Sequence, residues 1–130
     1  MAEKTVTIIK DLKPNGFVII DGVPCRVERV QVSTSGKHGH AKVRLDAIGL
    51  FDNTRRSTIG PSHENVEVPI VEKKRGQVVS ITGSKAQVMD MTTYEVTEMD
   101  IPDERKDKIR QGEEVDYFEV LEVKTLKELK

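Results

Sequence analysis

The residues with the strongest chemical character lie in one stretch, Ser33-Thr-Ser-Gly-Lys-His-Gly-His-Ala-Lys42. Glycines at positions 36 and 39 permit positive φ angles and a tight reversal of the chain. They place Lys37 at the tip of a predicted hairpin, with little side-chain bulk around its amine. Such a lysine can reach into a narrow cavity or be gripped by a modifying enzyme, whereas most Gly-Lys-x-Gly turns are only turns. The residues alone leave both interpretations open.

The sequence gives less support to nucleotide binding, metal binding, RNA cleavage or thiol chemistry. The spacing is not that of a P-loop, because the lysine lies between strands and does not open a helix. His38, His40 and distant His63 lack the carboxylate or cysteine spacing of a metal site, so we expect no metal and no cofactor. A nuclease would need His38 and His40 to converge on one phosphate. Cys25, after a proline in a strand, is typical of a small core residue. We therefore expect no catalytic residue and no enzymatic activity.

The charge is distributed unevenly. The whole chain carries a net charge of −1, but residues 1–71 carry +2 and residues 72–130 carry −3. Between Arg26 and Arg56 the local net charge reaches +4. A basic local field of this kind can hold a polyanion, although an ordinary solvated face has the same composition.

Short strands separated by turn signals must position these residues. Phe17–Ile20 precedes Asp21-Gly22, which is a strong hairpin signal. In the following strand, the spacing of Val27 and Val30 breaks the alternation and predicts a β-bulge. Residues 41–47 alternate cleanly, with an apolar face for the core and a basic face toward solvent.

The second half predicts a separate module. Residues 66–71 close the first module, and the charged run 72–76 predicts a linker in which Lys73, Lys74 and Arg75 are solvated. We place the boundary after residue 71. Further strands are predicted at 77–81, 86–91, 94–99 and 115–121, and a short helix is predicted over 102–110.

Composition limits the class of protein. With 36% hydrophobic and 4% aromatic residues, two small cores are a better expectation than one large core. A single cysteine excludes an internal disulfide and favours the cytoplasm. No stretch approaches the roughly 20 apolar residues of a membrane span, so no membrane association is expected.

The stretch from Ser33 to Lys42 closely resembles the modification loop of translation initiation factor 5A, the archaeal and eukaryotic counterpart of bacterial elongation factor P. The resemblance continues through Asp21–Cys25, Ile48–Phe51, Pro61–His63 and Val66–Ile70. It covers essentially the whole chain. The loop is shorter before Gly36 than the common eukaryotic form, which suggests an archaeal member.

The resemblance implies an all-β protein with an SH3-like N-terminal barrel at 1–71, then an OB-fold barrel at 72–130 with one short helix. It implies that deoxyhypusine synthase transfers an aminobutyl group from spermidine to Lys37, giving deoxyhypusine or hypusine. The other modification-loop residues are Ser35, Gly36, His38, Gly39 and His40.

By the same resemblance, the expected partners are the ribosome and peptidyl-tRNA. Modified Lys37 would stabilise peptidyl-tRNA at the peptidyl-transferase centre and promote peptide bond formation, especially at proline-rich sequences. Predicted contacts with RNA phosphates are Lys42, Arg44, Arg55 and Arg56. An alternative function is general single-stranded RNA binding through the OB-fold, where Tyr94, Tyr117 and Phe118 would be the stacking aromatics.

Overall fold

The structure is a computed structural model that describes residues 3–34 and 41–129. Contacts divide the chain into two compact units, Met1–Ile70 and Val71–Lys130. The boundary predicted from sequence lies one residue later, after residue 71. No helix within the described residues is long and apolar enough to cross a membrane.

The first unit is an SH3-like half-barrel of antiparallel strands. The strands are β1 (Lys4–Ile8), β2 (Phe17–Ile20), β3 (Val23–Ser33), β4 (Lys42–Gly49), β5 (Arg55–Pro61) and β6 (Asn65–Pro69). They form a four-stranded sheet in the order β2-β3-β4-β5 and a two-stranded ladder of β1 with β6. A 3₁₀ helix, Ile9–Asp11, follows β1.

Alternating apolar residues build the core of this unit. Val43, Leu45 and Ala47 on β4 are fully buried, while Lys42 and Arg44, which alternate with them, are exposed. This is the alternation that the sequence predicts for a strand with one face on the core. Opposite β4, the register of β3 shifts between Val27 and Arg29, which confirms the predicted bulge.

The predicted hairpin at Asp21-Gly22 is also confirmed. Both residues have positive φ, 53° and 77°, as a type I′ turn requires. The turn joins β2 to β3 with Ile20 opposite Val23. Glycine suits the second position because it carries no Cβ to clash in the left-handed region.

The second unit is an OB-fold barrel built from one five-stranded sheet. The strands are β7 (Glu72–Thr82), β8 (Lys85–Asp90), β9 (Val96–Asp100), β10 (Glu114–Val120) and β11 (Val123–Thr125). Their order in the sheet is β11-β10-β7-β8-β9. The core includes Val78, Val88 and Leu126, all with exposures of 1% or less.

The interpretation of residues 72–76 as a linker is wrong, because these residues form the first part of β7. They pair with β10, where Asp116 lies opposite Arg75 and Glu119 lies diagonally across from Lys74. Lys74 Nζ lies 2.9 Å from Glu119 Oε1, and Arg75 Nη1 donates to Asp116 Oδ1 at 3.0 Å. Cross-strand opposite charges of this kind stabilise the pairing of the two strands.

The predicted helix over 102–110 is present only as a 3₁₀ turn, Asp103–Arg105, followed by further turns. Between Pro102 and Gly112 the segment has one apolar residue, Ile109, which is too few for the apolar stripe that packs a helix against a core. Ile109 is 5% exposed, and Arg105 Nη1 donates to the carbonyls of Asp116 and Leu126 at 2.9 and 2.8 Å. These contacts anchor the turns.

A buried carboxylate organises the end of β8. Asp90 is 7% exposed, accepts a hydrogen bond from the Tyr117 hydroxyl, and accepts the backbone N–H groups of Thr92 and Thr93. These bonds lower the pKa of Asp90 from 3.8 to about 2, the hydroxyl bond having the largest effect. Burial, followed by the bond to Asp90, raises the pKa of Tyr117.

Asp90→Asn should therefore make the stability of the second unit less dependent on pH. Because the folded-state pKa lies below the unfolded-state pKa, the ionised carboxylate stabilises the fold on the order of 2 kcal/mol above pH 5. This contribution is lost as the pH falls from about 4 towards 2. Urea unfolding across this range should show a gap between wild type and variant that closes on acidification.

Asp107→Asn is the matched control, because Asp107 is exposed and its substitution removes the same charge. Its free energy of unfolding should follow that of the wild type. A gap for Asp90→Asn that stays constant from pH 7 to pH 2 would contradict the role given to the ionised carboxylate.

Candidate nucleic-acid interface

The β3–β4 hairpin carries the predicted modification loop. Its two strands pair from Cys25 opposite Gly49 to Ser33 opposite Lys42, so residues 34–41 connect two adjacent strand ends. Residues 35–40 lie outside the described residues. The assignments made for them stay predictions, namely those for Ser35, Gly36, Lys37, His38, Gly39 and His40.

The described end of this connection is tied to neighbouring elements. The Ala41 carbonyl accepts the backbone N–H of Ser62 at 2.9 Å, and Lys42 lies opposite Pro61 of β5. The same turn after β5 is held from its other side, because the Ile9 N–H donates to the Glu64 carbonyl at 2.9 Å. The start of β4 is therefore hydrogen-bonded to the turn at residues 61–64, and that turn is in turn hydrogen-bonded to Ile9.

Several cations lie on the solvent-facing side of β3, β4 and β5, and we call four of them the basic face: Arg29, Lys42, Arg44 and Arg55. Register places them together, because Lys42 and Arg44 alternate with core residues on β4 and Arg55 lies opposite the outward-facing Ile48. Arg29 lies opposite Asp46. Arg29 was not among the predicted phosphate contacts, and the bulge between Val27 and Arg29 sets the face on which it lies.

Asp46 is the internal counterion of the basic face. Its carboxylate accepts the Ser57 hydroxyl at 2.5 Å, lies 3.4 Å from Arg44 Nε and lies 3.7 Å from Arg29 Nε. The Ser57 hydrogen bond, with the two guanidinium groups, lowers the pKa of Asp46. The carboxylate holds both arginine side chains beside the strand and leaves Lys42 without a carboxylate partner among the described residues.

Arg56 lies on the other side of β5, opposite core-facing Ala47. Its guanidinium makes two hydrogen bonds to the Asp52 carboxylate, at 3.2 and 2.8 Å, and a third to the Thr54 carbonyl at 3.2 Å. These contacts lower the pKa of Asp52 and raise that of Arg56. Its predicted role as a phosphate contact stays a prediction, and the observed contacts give Arg56 a local role in holding the β4–β5 turn.

A cavity of about 370 Å³ opens beside the basic face. Side chains of both signs of charge line the cavity. Among them are Arg55 and Glu28, whose Nε and Oε1 atoms lie 3.4 Å apart. Its lining therefore suits a polar group that presents both donors and acceptors. The lining residues are Glu28, Arg29, Asp46, Ala47, Arg55, Arg56 and Ser57.

Cys25 is fully buried, as predicted for a core residue, and its Sγ lies 3.3 Å from the Val23 carbonyl. Burial raises the pKa of this thiol, although the nearby Arg56 charge opposes the rise. Among the residues that the structure describes, no group of three or more His, Cys, Asp or Glu side chains is arranged to hold a metal ion. His38 and His40 lie outside that part of the chain, so the expectation for the three histidines stays a prediction.

The aromatic residues of the second unit differ in exposure. Tyr117 and Phe118, two of the three predicted stacking residues, are each 2% exposed and belong to the interior. Tyr94 is 69% exposed. The described part of the barrel thus offers one accessible aromatic ring, whereas stacking platforms for single-stranded RNA use successive bases on several rings.

Known proteins are similar to this chain in sequence and in fold. The family model described as "Translation initiation factor 5A-like, N-terminal" matches residues 4–64. Translation initiation factor 5A of Archaeoglobus fulgidus is 50% identical over 87% of this chain and 88% of its own length, and that of Methanosarcina acetivorans is 52% identical over the same shares. The solved structure of the eukaryotic translation initiation factor 5A from Methanococcus jannaschii has a TM-score of 0.88 and 36% identity, covering 95% of this chain and 94% of that chain.

These relatives and the two barrels define a class, the small all-β translation factors with an SH3-like barrel followed by an OB-fold barrel. The relatives all carry the name of one family within this class. The chain belongs to the translation initiation factor 5A family.

The two neighbouring arginines of β5 should respond differently to the same substitution. Arg56→Lys should lower the melting temperature of the first unit, because lysine cannot reproduce the two-point contact with Asp52. Arg55→Lys should leave the melting temperature unchanged, since the Arg55 side chain is 80% exposed. Differential scanning calorimetry of both variants measures this contrast, and equal melting temperatures would contradict the local role of Arg56.

Proposed function

We propose that this translation factor binds the ribosome and presents a modified Lys37 to peptidyl-tRNA at the peptidyl-transferase centre. It promotes peptide bond formation, especially at proline-rich sequences that stall the ribosome. The proposal is supported by family membership together with the Ser33–Lys42 stretch, which resembles the family's modification loop. The protein acts in the cytoplasm and is not an enzyme, because the reacting groups belong to the ribosome and its substrates.

The modification extends the reach of Lys37. Deoxyhypusine synthase transfers an aminobutyl group from spermidine to the lysine nitrogen, and hydroxylation then distinguishes hypusine from deoxyhypusine. The original nitrogen keeps its positive charge, and a second amine is placed further out. A longer dication is suited to a deep pocket lined by RNA phosphates, where a shorter cation would fall short.

Contacts with the RNA backbone orient the loop. Phosphate contacts set the position and direction of a protein on a nucleic acid without reading its sequence. Lys42 and Arg44 of the basic face continue directly from the loop, and Arg55 stands beside them on β5. Holding peptidyl-tRNA in a reactive position lowers the barrier through orientation and needs no acid or base from this protein.

The charge of the second unit disfavours general single-stranded RNA binding as the main function. Residues 72–130 carry a net charge of −3, and several of their cations are already paired with carboxylates. Binding of single strands depends on a positively charged groove as well as on stacking. The described residues of this unit combine an acidic balance with one exposed aromatic ring.

Lys37→Arg should abolish stimulation of peptide bond formation at proline-rich sequences while leaving the melting temperature unchanged. Arginine keeps a positive charge but does not accept the aminobutyl group. Intact-mass analysis and peptide mapping of protein from the native source should show the addition on Lys37 and report whether it is hydroxylated. Translation of proline-rich messages by the variant at the wild-type rate would refute the proposal.

The double variant Lys42→Gln/Arg44→Gln should weaken tRNA binding and flatten its salt dependence. Each lost phosphate contact reduces the slope of log affinity against log salt by about 1, so the expected change is about 2. Lys85→Gln/Lys106→Gln removes the same charge from the second unit and should leave the slope unchanged. Equal slopes for the wild type and the Lys42/Arg44 variant would show that the basic face does not contact phosphate.

A further inference from the structure

Left-handed backbone conformations are distributed unevenly between the two units. Among the described residues, six non-glycine residues have positive φ. Asn15, Asp21 and Asn53 belong to the residue types that adopt this conformation readily, and all three lie in the first unit. The other three residues tolerate it poorly. They are Tyr94, Leu121 and Glu122, at φ values of 64°, 46° and 67°, and all lie in the second unit.

The turn from β8 to β9 holds Tyr94 in this conformation. Asp90 accepts the N–H groups of Thr92 and Thr93 through its carboxylate and that of Tyr94 through its carbonyl, at 2.7 to 2.9 Å. Glycine would satisfy the same backbone without strain. The tyrosine ring is 69% exposed, so burial in this unit does not account for an aromatic residue at this position.

The turn from β10 to β11 has the same property. Leu121 and Glu122 occupy the two central positions, with positive φ at both, as Asp21 and Gly22 do in the first unit. The residues of that earlier turn are the usual types for a type I′ hairpin. Leu121 and Glu122 are not, and strained backbone that persists in a structure is concentrated at functional sites.

An ion pair joins the two turns. Lys124 Nζ lies 3.2 Å from Glu95 Oε1, so the residue after Tyr94 contacts the residue two positions after Glu122. Exposed apolar side chains flank this pair, since Val96 is 49% and Val123 is 43% exposed. We call residues 94–96 and 121–124 the turn surface. Its one cation, Lys124, is 18% exposed and paired, so Glu122 adds an unbalanced negative charge.

We propose that the turn surface is a docking site for a basic segment of a protein partner, with a lysine or arginine side chain over the Tyr94 ring. A cation is attracted by the face of an exposed aromatic ring, and the carboxylate of Glu122 supplements this attraction. RNA is the less suitable occupant, because Glu122 and the −3 charge of residues 72–130 repel phosphate. Where the partner is a ribosomal protein, the inference rests on the proposed function.

A titration of the full-length protein with a synthetic hexa-arginine peptide, followed by amide chemical shifts, tests the surface without ribosomes. Shifts are expected at residues 94–96 and 121–124. Tyr94→Gly should weaken binding about fivefold to thirtyfold while melting at the wild-type temperature or above, because glycine relieves the strain. Tyr94→Phe keeps the ring and should bind as the wild type does.

Val79→Ala is the matched control, because Val79 is an apolar residue of the same unit with 44% exposure that lies outside the turn surface. It should leave the affinity unchanged. Equal affinities for the wild type and Tyr94→Gly would overturn the proposal. Shifts of the same residues with a dodecauridylate RNA in place of the peptide would identify a nucleic-acid surface instead.

A photo-crosslinking amino acid at position 94, with purified archaeal ribosomes, identifies the partner. A crosslink to a lysine- or arginine-containing peptide of a ribosomal protein is expected, whereas a crosslink to ribosomal RNA or to a second copy of the chain would contradict the proposal. Sedimentation of the wild type with the same ribosomes reports on the proposed function separately. If the wild type does not bind ribosomes, the proposed function fails, and the peptide titration still decides whether the turn surface binds basic segments.

Discussion

The antiparallel pairing of β3 with β4 is the constraint on which the first unit depends. Successive side chains on a strand point to opposite faces, so a slip of one residue would exchange the core and solvent faces of the hairpin. The bulge at Val27–Arg29 absorbs one residue and keeps both Val27 and Val30 directed toward the core. Past the bulge, Arg29 joins Lys42 and Arg44 on the solvent side. The direction of the basic face and the adjacency of the two strand ends at Ser33 and Lys42 follow from this one register.

The two units use the same kinds of charged side chain for different purposes. In the first unit, Arg44 and Arg29 converge on one carboxylate, Asp46, and the basic face keeps an excess of positive charge. In the second unit, cations of β7 form ion pairs with carboxylates of the neighbouring strand β10, so their charge is neutralised within the sheet. Composition shows only a modest difference in net charge. The cross-strand partners decide which unit presents a basic surface.

Features that depend on neighbouring residues could be predicted from sequence. The alternation in β4, the bulge in β3 and the Asp21–Gly22 turn all express local rules for side-chain direction and backbone conformation. The resemblance of the Ser33–Lys42 stretch pointed to the right family, because a motif of that length is specific. The charged run at 72–76 was misjudged as a linker, since its partners on β10 lie about 40 residues later in the chain. The predicted helix is present only as a 3₁₀ turn because Ile109 is the one apolar residue of its segment, so the segment lacks the apolar face that packs a helix against a core.

The sequence by itself determined the family, the all-β class and the division into two modules, and it predicts Lys37 as the lysine on which the proposed function depends. These follow from periodicity, turn chemistry and a specific motif, all of which are local in the chain. Only the tertiary structure decided which cations act together. It separated Arg55 from Arg56, added Arg29 to the basic face, and buried Tyr117 and Phe118 while leaving Tyr94 exposed. The physical reason is that strand register and burial are set by partners remote in sequence, and a side chain's chemistry depends on what it faces.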